Sequence, residues 1–145
     1  DRASRELKGA GTFRRARPEV GSHRMAAIGW CMGGGYALRI ALAEPRLSGT
    51  VINYGSLVTD DATIASLQVA LLGNFGGQDQ GIPPESVKEF EAKAKAAGKS
   101  VDFKIYPDSG HGFASAKDPK VFRPADAKDA DARTEAFFAK VLKGK

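Results

Sequence analysis

A cysteine with a glycine two residues away on either side, Gly29-Trp-Cys31-Met-Gly33, separates an apolar run beginning at Met25 from a helix-like segment. A thiol in that setting can act as a nucleophile. The strand-to-helix turn that presents such a side chain is sharp and strained. Residues two before and two after the nucleophile then crowd each other, and Gly29 and Gly33 are expected to relieve this by lacking a Cβ. A helix starting at Met32 also favours the thiolate, because unpaired N–H groups and the helix dipole stabilise negative charge at that end. A lone cysteine is by default a small buried hydrophobe; the flanking glycines argue for the catalytic reading instead. They do not form a phosphate loop, since neither Gly-x-Gly-x-x-Gly nor Gly-Lys-Ser/Thr runs through them.

A nucleophile needs a base, and the chain holds only two histidines, His23 and His111. His23, between Ser22 and Arg24, reads as an exposed loop residue ahead of the first strand. His111 follows the alternating strand Val101–Tyr106 in Tyr106-Pro-Asp-Ser-Gly-His-Gly-Phe113, where a glycine-flanked loop can project an imidazole over the sheet edge. A carboxylate must then hold the imidazole tautomer and stabilise the imidazolium. Asp79 suits this role, coming directly after the apolar run Val69–Phe75 in a glycine-rich loop. Asp60 and Asp61 read as polar-loop residues, and Asp108 stands only three residues from His111, too close to reach the far ring nitrogen. The order nucleophile, acid, histidine is that of α/β-hydrolases and differs from the orders in chymotrypsin-like and subtilisin-like proteases.

With these residues in place the chain resembles the dienelactone hydrolase family from about Met25 onward. The matching motifs are Gly29-Trp-Cys-Met-Gly-Gly-Gly-Tyr-Ala-Leu38, Asn53-Tyr-Gly55, Gly73-Asn-Phe-Gly-Gly-Gln-Asp-Gln-Gly-Ile-Pro83, Tyr106-Pro-Asp-Ser-Gly-His-Gly-Phe-Ala114 and Arg133-Thr-Glu-Ala-Phe-Phe138. The resemblance implies Cys31 as nucleophile, Asp79 as acid, His111 as base and the Met32 N–H as one oxyanion-hole donor. Two departures follow from it. An arginine that family members carry soon after the catalytic histidine is replaced here by Ala114-Ser115-Ala116. Family members are also longer, and their upstream part holds further strands, the second oxyanion donor, a glutamate that modulates the cysteine and another substrate-binding arginine. This chain therefore reads as the C-terminal half of such a hydrolase, with Asp1–Lys8 and Gly11–Arg17 matching the helix that leads into the elbow strand.

The elements needed to position the triad are legible as alternating strand and helix. Strands are expected near Met25–Trp30, Thr50–Tyr54, Val69–Phe75 and Val101–Tyr106, and helices near Met32–Ala43, Pro84–Ala97 and Asp126–Leu142. This predicts a truncated α/β-hydrolase fold, a mostly parallel sheet of about four strands flanked by helices, in a single domain over 1–145. Val87, Phe90, Ala94 and Ala97 share one helical face, and Ala114–Ala125 reads as a loop beside the site. With 145 residues and 42% hydrophobic content the chain can bury one core.

The net charge of +5 raises nucleic-acid binding, with Arg14, Arg15, Arg17 and Arg24 as its best patch, but neither interleaved aromatics nor a DNA-binding motif accompanies them. No apolar run is long enough to span a membrane, and no signal peptide is evident, so a cytoplasmic location is expected. One cysteine excludes an intrachain disulfide and suits a reducing compartment. The expectation is therefore a cysteine-dependent carboxylic-ester hydrolase that needs no metal or cofactor and takes small short-chain esters, with Trp30, Met32, Tyr54 and Phe113 lining an apolar acyl pocket. The rival expectation is a non-catalytic remnant, or one half of a split hydrolase. Loss of the strands beyond the elbow strand also predicts a homo-oligomer, a dimer or larger, that covers the exposed edge.

Overall fold

The computed structural model describes residues 2–17, 19 and 24–143; His23 lies outside them. Four strands, β1 (Ala26–Trp30), β2 (Gly49–Asn53), β3 (Leu71–Gly76) and β4 (Val101–Tyr106), form one parallel sheet in the order β1-β2-β3-β4. The helices are α1 (Arg2–Arg15), α2 (Met32–Ala43), α3 (Asp61–Ser66), α4 (Pro84–Ala96) and α5 (Pro124–Leu142). Each new strand is added on the same side of the last, so crossovers of one hand put the connecting helices on one face. There α2, α3 and α4 enclose the main core, in which Leu38, Ile64 and Phe90 pack on Ile52, Leu71 and Phe75. After β4 the chain turns back, and α5 covers the other face, where Phe137 and Val141 press on Gly49.

Burial falls off sharply across the sheet. Every residue of β2 and β3 is buried, as expected of central parallel strands with both faces covered. Among the described residues β1 pairs only with β2, in the register Ile28↔Val51 and Trp30↔Asn53, and α5 packs mainly over β2 and β3. Ile28 and Trp30, on the α5 side, are consequently 37% and 48% exposed.

The remaining differences from expectation have local causes. The stretch Asp60–Asp61 is not a plain loop: the Asp60 carboxylate accepts the Thr63 N–H at 2.7 Å and caps α3. Asp61 then pairs with Lys93 of α4 at 2.8 Å. Val69 and Ala70 precede β3, and Tyr54 follows β2, because ladder pairing begins at Leu71 and ends at Asn53. α4 stops at Ala96, closed by Gly98 at φ 72°, which leaves Ala97 exposed beyond the helix. The segment after Ala114 winds through turns, with the Arg123 N–H donating to Phe113 O at 2.8 Å immediately before α5.

Candidate active site

All three triad candidates emerge at the C-terminal edge of the sheet, where ligands bind in open parallel sheets. Cys31 caps α2 with φ 55° and ψ −123°, a conformation that costs a residue bearing a Cβ about 1–3 kcal/mol. Its surroundings hold it there. The Cys31 N–H donates to Asn53 O at 3.0 Å, and its own carbonyl accepts from the Gly34 and Gly35 N–H groups at 3.0 and 3.3 Å. A Cβ on Gly29 would stand 2.0 Å from Gly33 O, whereas one on Gly33 would meet nothing within 4 Å. The crowding at the elbow is thus relieved by Gly29; Gly33, expected to share that task, is free of it.

Asp79 and His111 are brought together by two loops that lie against each other. At Gly76 an added Cβ would come within 2.5 Å of Ser109 O and 2.6 Å of Gly110 O, so only glycine permits the approach. The loops are then stitched by Gly77 N–H to Tyr106 O (2.7 Å) and Gln78 N–H to Ser109 O (2.8 Å). The Ser109 hydroxyl donates to Asp126 of α5 at 2.6 Å, fixing the histidine loop from its other side.

The result is a continuous relay. His111 Nε2 lies 3.0 Å from Cys31 Sγ, and His111 Nδ1 lies 2.7 Å from Asp79 Oδ2. The second carboxylate oxygen, Oδ1, accepts the N–H groups of Gly81 and Ile82 at 2.9 and 3.0 Å, so buried Asp79 has partners on both oxygens. Cys31 is exposed, and the His111 side chain is about half so. The hydrogen bond with His111, aided by the Met32 N–H, holds the Cys31 thiol below its ordinary range against the effect of burial. Burial works against the His111 imidazolium, but the hydrogen bonds to Cys31 and Asp79 outweigh it and raise the imidazole above its usual value. Each shift favours a thiolate–imidazolium pair, the state in which sulfur is nucleophilic.

The four residues expected to line an acyl pocket divide in two. Trp30 and Met32 are exposed beside the thiol, Met32 at 72%. Phe113 is fully buried and Tyr54 nearly so, each stacked edge-on with the other at 5.4 Å in a small cluster with Tyr106 and Ala130. They therefore form the support beneath the histidine loop instead of the lining. Tyr54, at φ 38°, also sets its ring edge-on to His111 at 5.4 Å, and burial, then the Cys31 charge, push its phenol up to about 12. Arg123 turns onto its own loop, donating to the Lys120 and Phe122 carbonyls at 3.1 and 3.2 Å. A cleft of about 170 Å³ starts at Met32 and runs between Tyr36 and Arg39 of α2 and the segment Ser56–Val58. Its Arg39 was not expected, because only its place on the helix, not its sequence spacing, brings it there.

Among the described residues no group of three or more His, Cys, Asp or Glu could hold a metal ion, and no helix is long and apolar enough to cross a membrane.

The sequence profile of the dienelactone hydrolase family matches residues 1–142. The chain belongs to that family. A Methylorubrum extorquens protein named "Putative carboxymethylenebutenolidase" is 31% identical over 92% of this chain and 48% of its own length. A Salmonella typhimurium protein of the same name is 34% identical over 81% and 47%. The dienelactone hydrolase fold of a solved Klebsiella pneumoniae structure superposes with a TM-score of 0.84 at 26% identity, over 92% of this chain and 59% of that one. The chain thus spans about half the length of the curated relatives it matches.

Proposed function

We propose that this chain hydrolyses small carboxylic esters with short acyl chains through a Cys31–His111–Asp79 triad. The reading rests on one observation, the unbroken contact of sulfur, imidazole and carboxylate at 3.0 and 2.7 Å. In the proposed reaction the Cys31 thiolate attacks the acyl carbon, forming a C–S bond and a tetrahedral oxyanion that faces the Met32 N–H. Collapse expels the alcohol, which takes the proton from the His111 imidazolium. Neutral His111 then removes a proton from water, the resulting hydroxide attacks the thioester, the C–S bond breaks, and the carboxylic acid leaves as the thiolate–imidazolium pair is restored. Asp79 holds Nδ1 throughout and stabilises the imidazolium.

The cleft beginning at Met32 suits a short acyl group. With a single oxyanion donor assigned, turnover should be modest, since one missing donor costs roughly 3 kcal/mol. Incubating the purified chain with p-nitrophenyl acetate tests the proposal: Cys31-dependent release of p-nitrophenol supports it, and none at any enzyme concentration would sink it.

A second reading, a half-hydrolase that needs a partner chain, draws on the outer edge of β1, which among the described residues is unpaired. We favour a second copy of this chain as the cover, in a reducing compartment such as the cytoplasm where the thiol persists. A monomer by light scattering at micromolar concentration would overturn the self-association.

A further inference from the structure

Side chains as well as backbone tie the C-terminal ends of three strands together. Asn53 and Asn74 are register partners, are buried, and point to the face that α5 covers. Asn74 Nδ2 donates to Asn53 Oδ1 at 2.8 Å, and Asn53 Nδ2 donates to Gly29 O at 3.4 Å, two residues before the nucleophile. At the other end Arg133 of α5 donates through Nη1 to Asn74 Oδ1 and, at 3.1 Å, to Gly73 O. Its Nη2 reaches the Asp102 carboxylate of β4 at 2.8 Å. From the guanidinium through Asn74 and Asn53 to Gly29 every bond donates toward β1, while the Nη2 bond anchors the guanidinium on β4. Arginine can only donate, so it fixes which way the Asn74 amide faces, and that amide in turn fixes Asn53.

This row matters because of where the elbow sits. Cys31 ends an edge strand with one paired side and a partly bare face, yet it must meet an imidazole carried by the loop after β4. We infer that Arg133 is a positioning residue for Cys31, acting through Asn74 and Asn53 on the Gly29 carbonyl to hold the elbow in register with the histidine loop. The inference rests on reading Cys31 as the nucleophile.

The test is the pH dependence of Cys31 alkylation by iodoacetamide, measured with thermal melting on wild type, Arg133→Met, Arg133→Lys and Asn74→Asp. Cys31 is the sole thiol, so the reagent reads one site. The groups around its sulfur are His111, with Asp79 behind it, and Tyr54. Arg133→Met should move the midpoint of the profile toward that of an ordinary thiol by about one unit, cutting the rate at low pH about tenfold. Arg133→Lys, which keeps a cationic donor, should recover most of that loss. Asn74→Asp still accepts from Arg133 but cannot donate to Asn53, so it should resemble Arg133→Met and decides the matter if Arg133→Met fails to fold. A variant that melts earlier with an unchanged alkylation profile would overturn the inference, leaving Arg133 a purely structural residue. Alkylation requires no ester turnover. A chain inert toward esters but showing the Arg133-dependent shift would therefore defeat the hydrolase proposal and spare this one.

Discussion

β3 and β1 belong to one sheet and live under different conditions. β3 has a strand on each side and helices over both faces, and all six of its residues are buried. Among the described residues β1 has one neighbour, and of its five residues only Gly29 is buried. Asp79 follows β3, in the thick part of the molecule, whereas His111 follows β4, the opposite edge, where Tyr106 alone is buried. Cys31 follows the thin edge formed by β1. Burial of β3 therefore fixes Asp79, and His111 is held by the bonds that stitch its loop to the Asp79 loop and to α5, while Cys31 depends on what its own turn supplies: the Asn53 carbonyl, the α2 N–H groups and the amide bond to Gly29.

The largest effects should come from the triad itself. Cys31→Ala should abolish ester hydrolysis in a protein that still melts cooperatively, since no second thiol can replace it; full activity in that variant would remove the mechanism. His111→Ala should lower kcat by at least about a hundredfold with little change in stability. The contrast between strands can be measured directly by urea unfolding. Phe75→Ala, at a fully buried site in β3, should cost about 3–5 kcal/mol, whereas Ile28→Ala on β1 should cost less than about 1 kcal/mol. Equal costs would mean that β1 is covered in solution.

The pH behaviour sharpens the same contrast at the chemical end. Cys31 is lowered and His111 raised, so the thiolate forms as pH rises past the lowered thiol value, and its imidazolium partner is lost once pH passes the raised imidazole value. Alkylation of wild-type Cys31 should thus begin below the pH of a free thiol, and His111→Ala should move it back up. An unshifted profile in His111→Ala would show that the turn alone tunes the sulfur. The smallest expected effect is on specificity: kcat/KM should favour a neutral short-chain ester over an anionic dienelactone. The opposite preference would point to Arg39, the cation that borders the cleft.

What could be read from the sequence was what is encoded locally. The elbow, the two loops and four strands all follow from short motifs whose glycines and apolar runs constrain their neighbours. Three matters did not follow. Phe113 beside His111 read as a pocket residue, because sequence proximity does not reveal that the loop turns its ring inward onto Tyr54 and Tyr106. The α3 helix is only six residues long and depends on the Asp60 cap, too little for a periodic signal. Asn53, Asn74 and Arg133 are widely separated along the chain, and the first two look like flaws in otherwise apolar strands. Register alone makes them neighbours.

Trp30 is the only tryptophan in the chain, stands next to Cys31 and is half-exposed on β1. The protein therefore carries its tryptophan fluorophore on an exposed face, beside the thiol. Its emission reports almost nothing about the packed interior. A blue shift on concentrating the protein would register a neighbour arriving over β1, and a change in intensity on mixing with an acylating reagent would time events at the adjacent sulfur, with no label added.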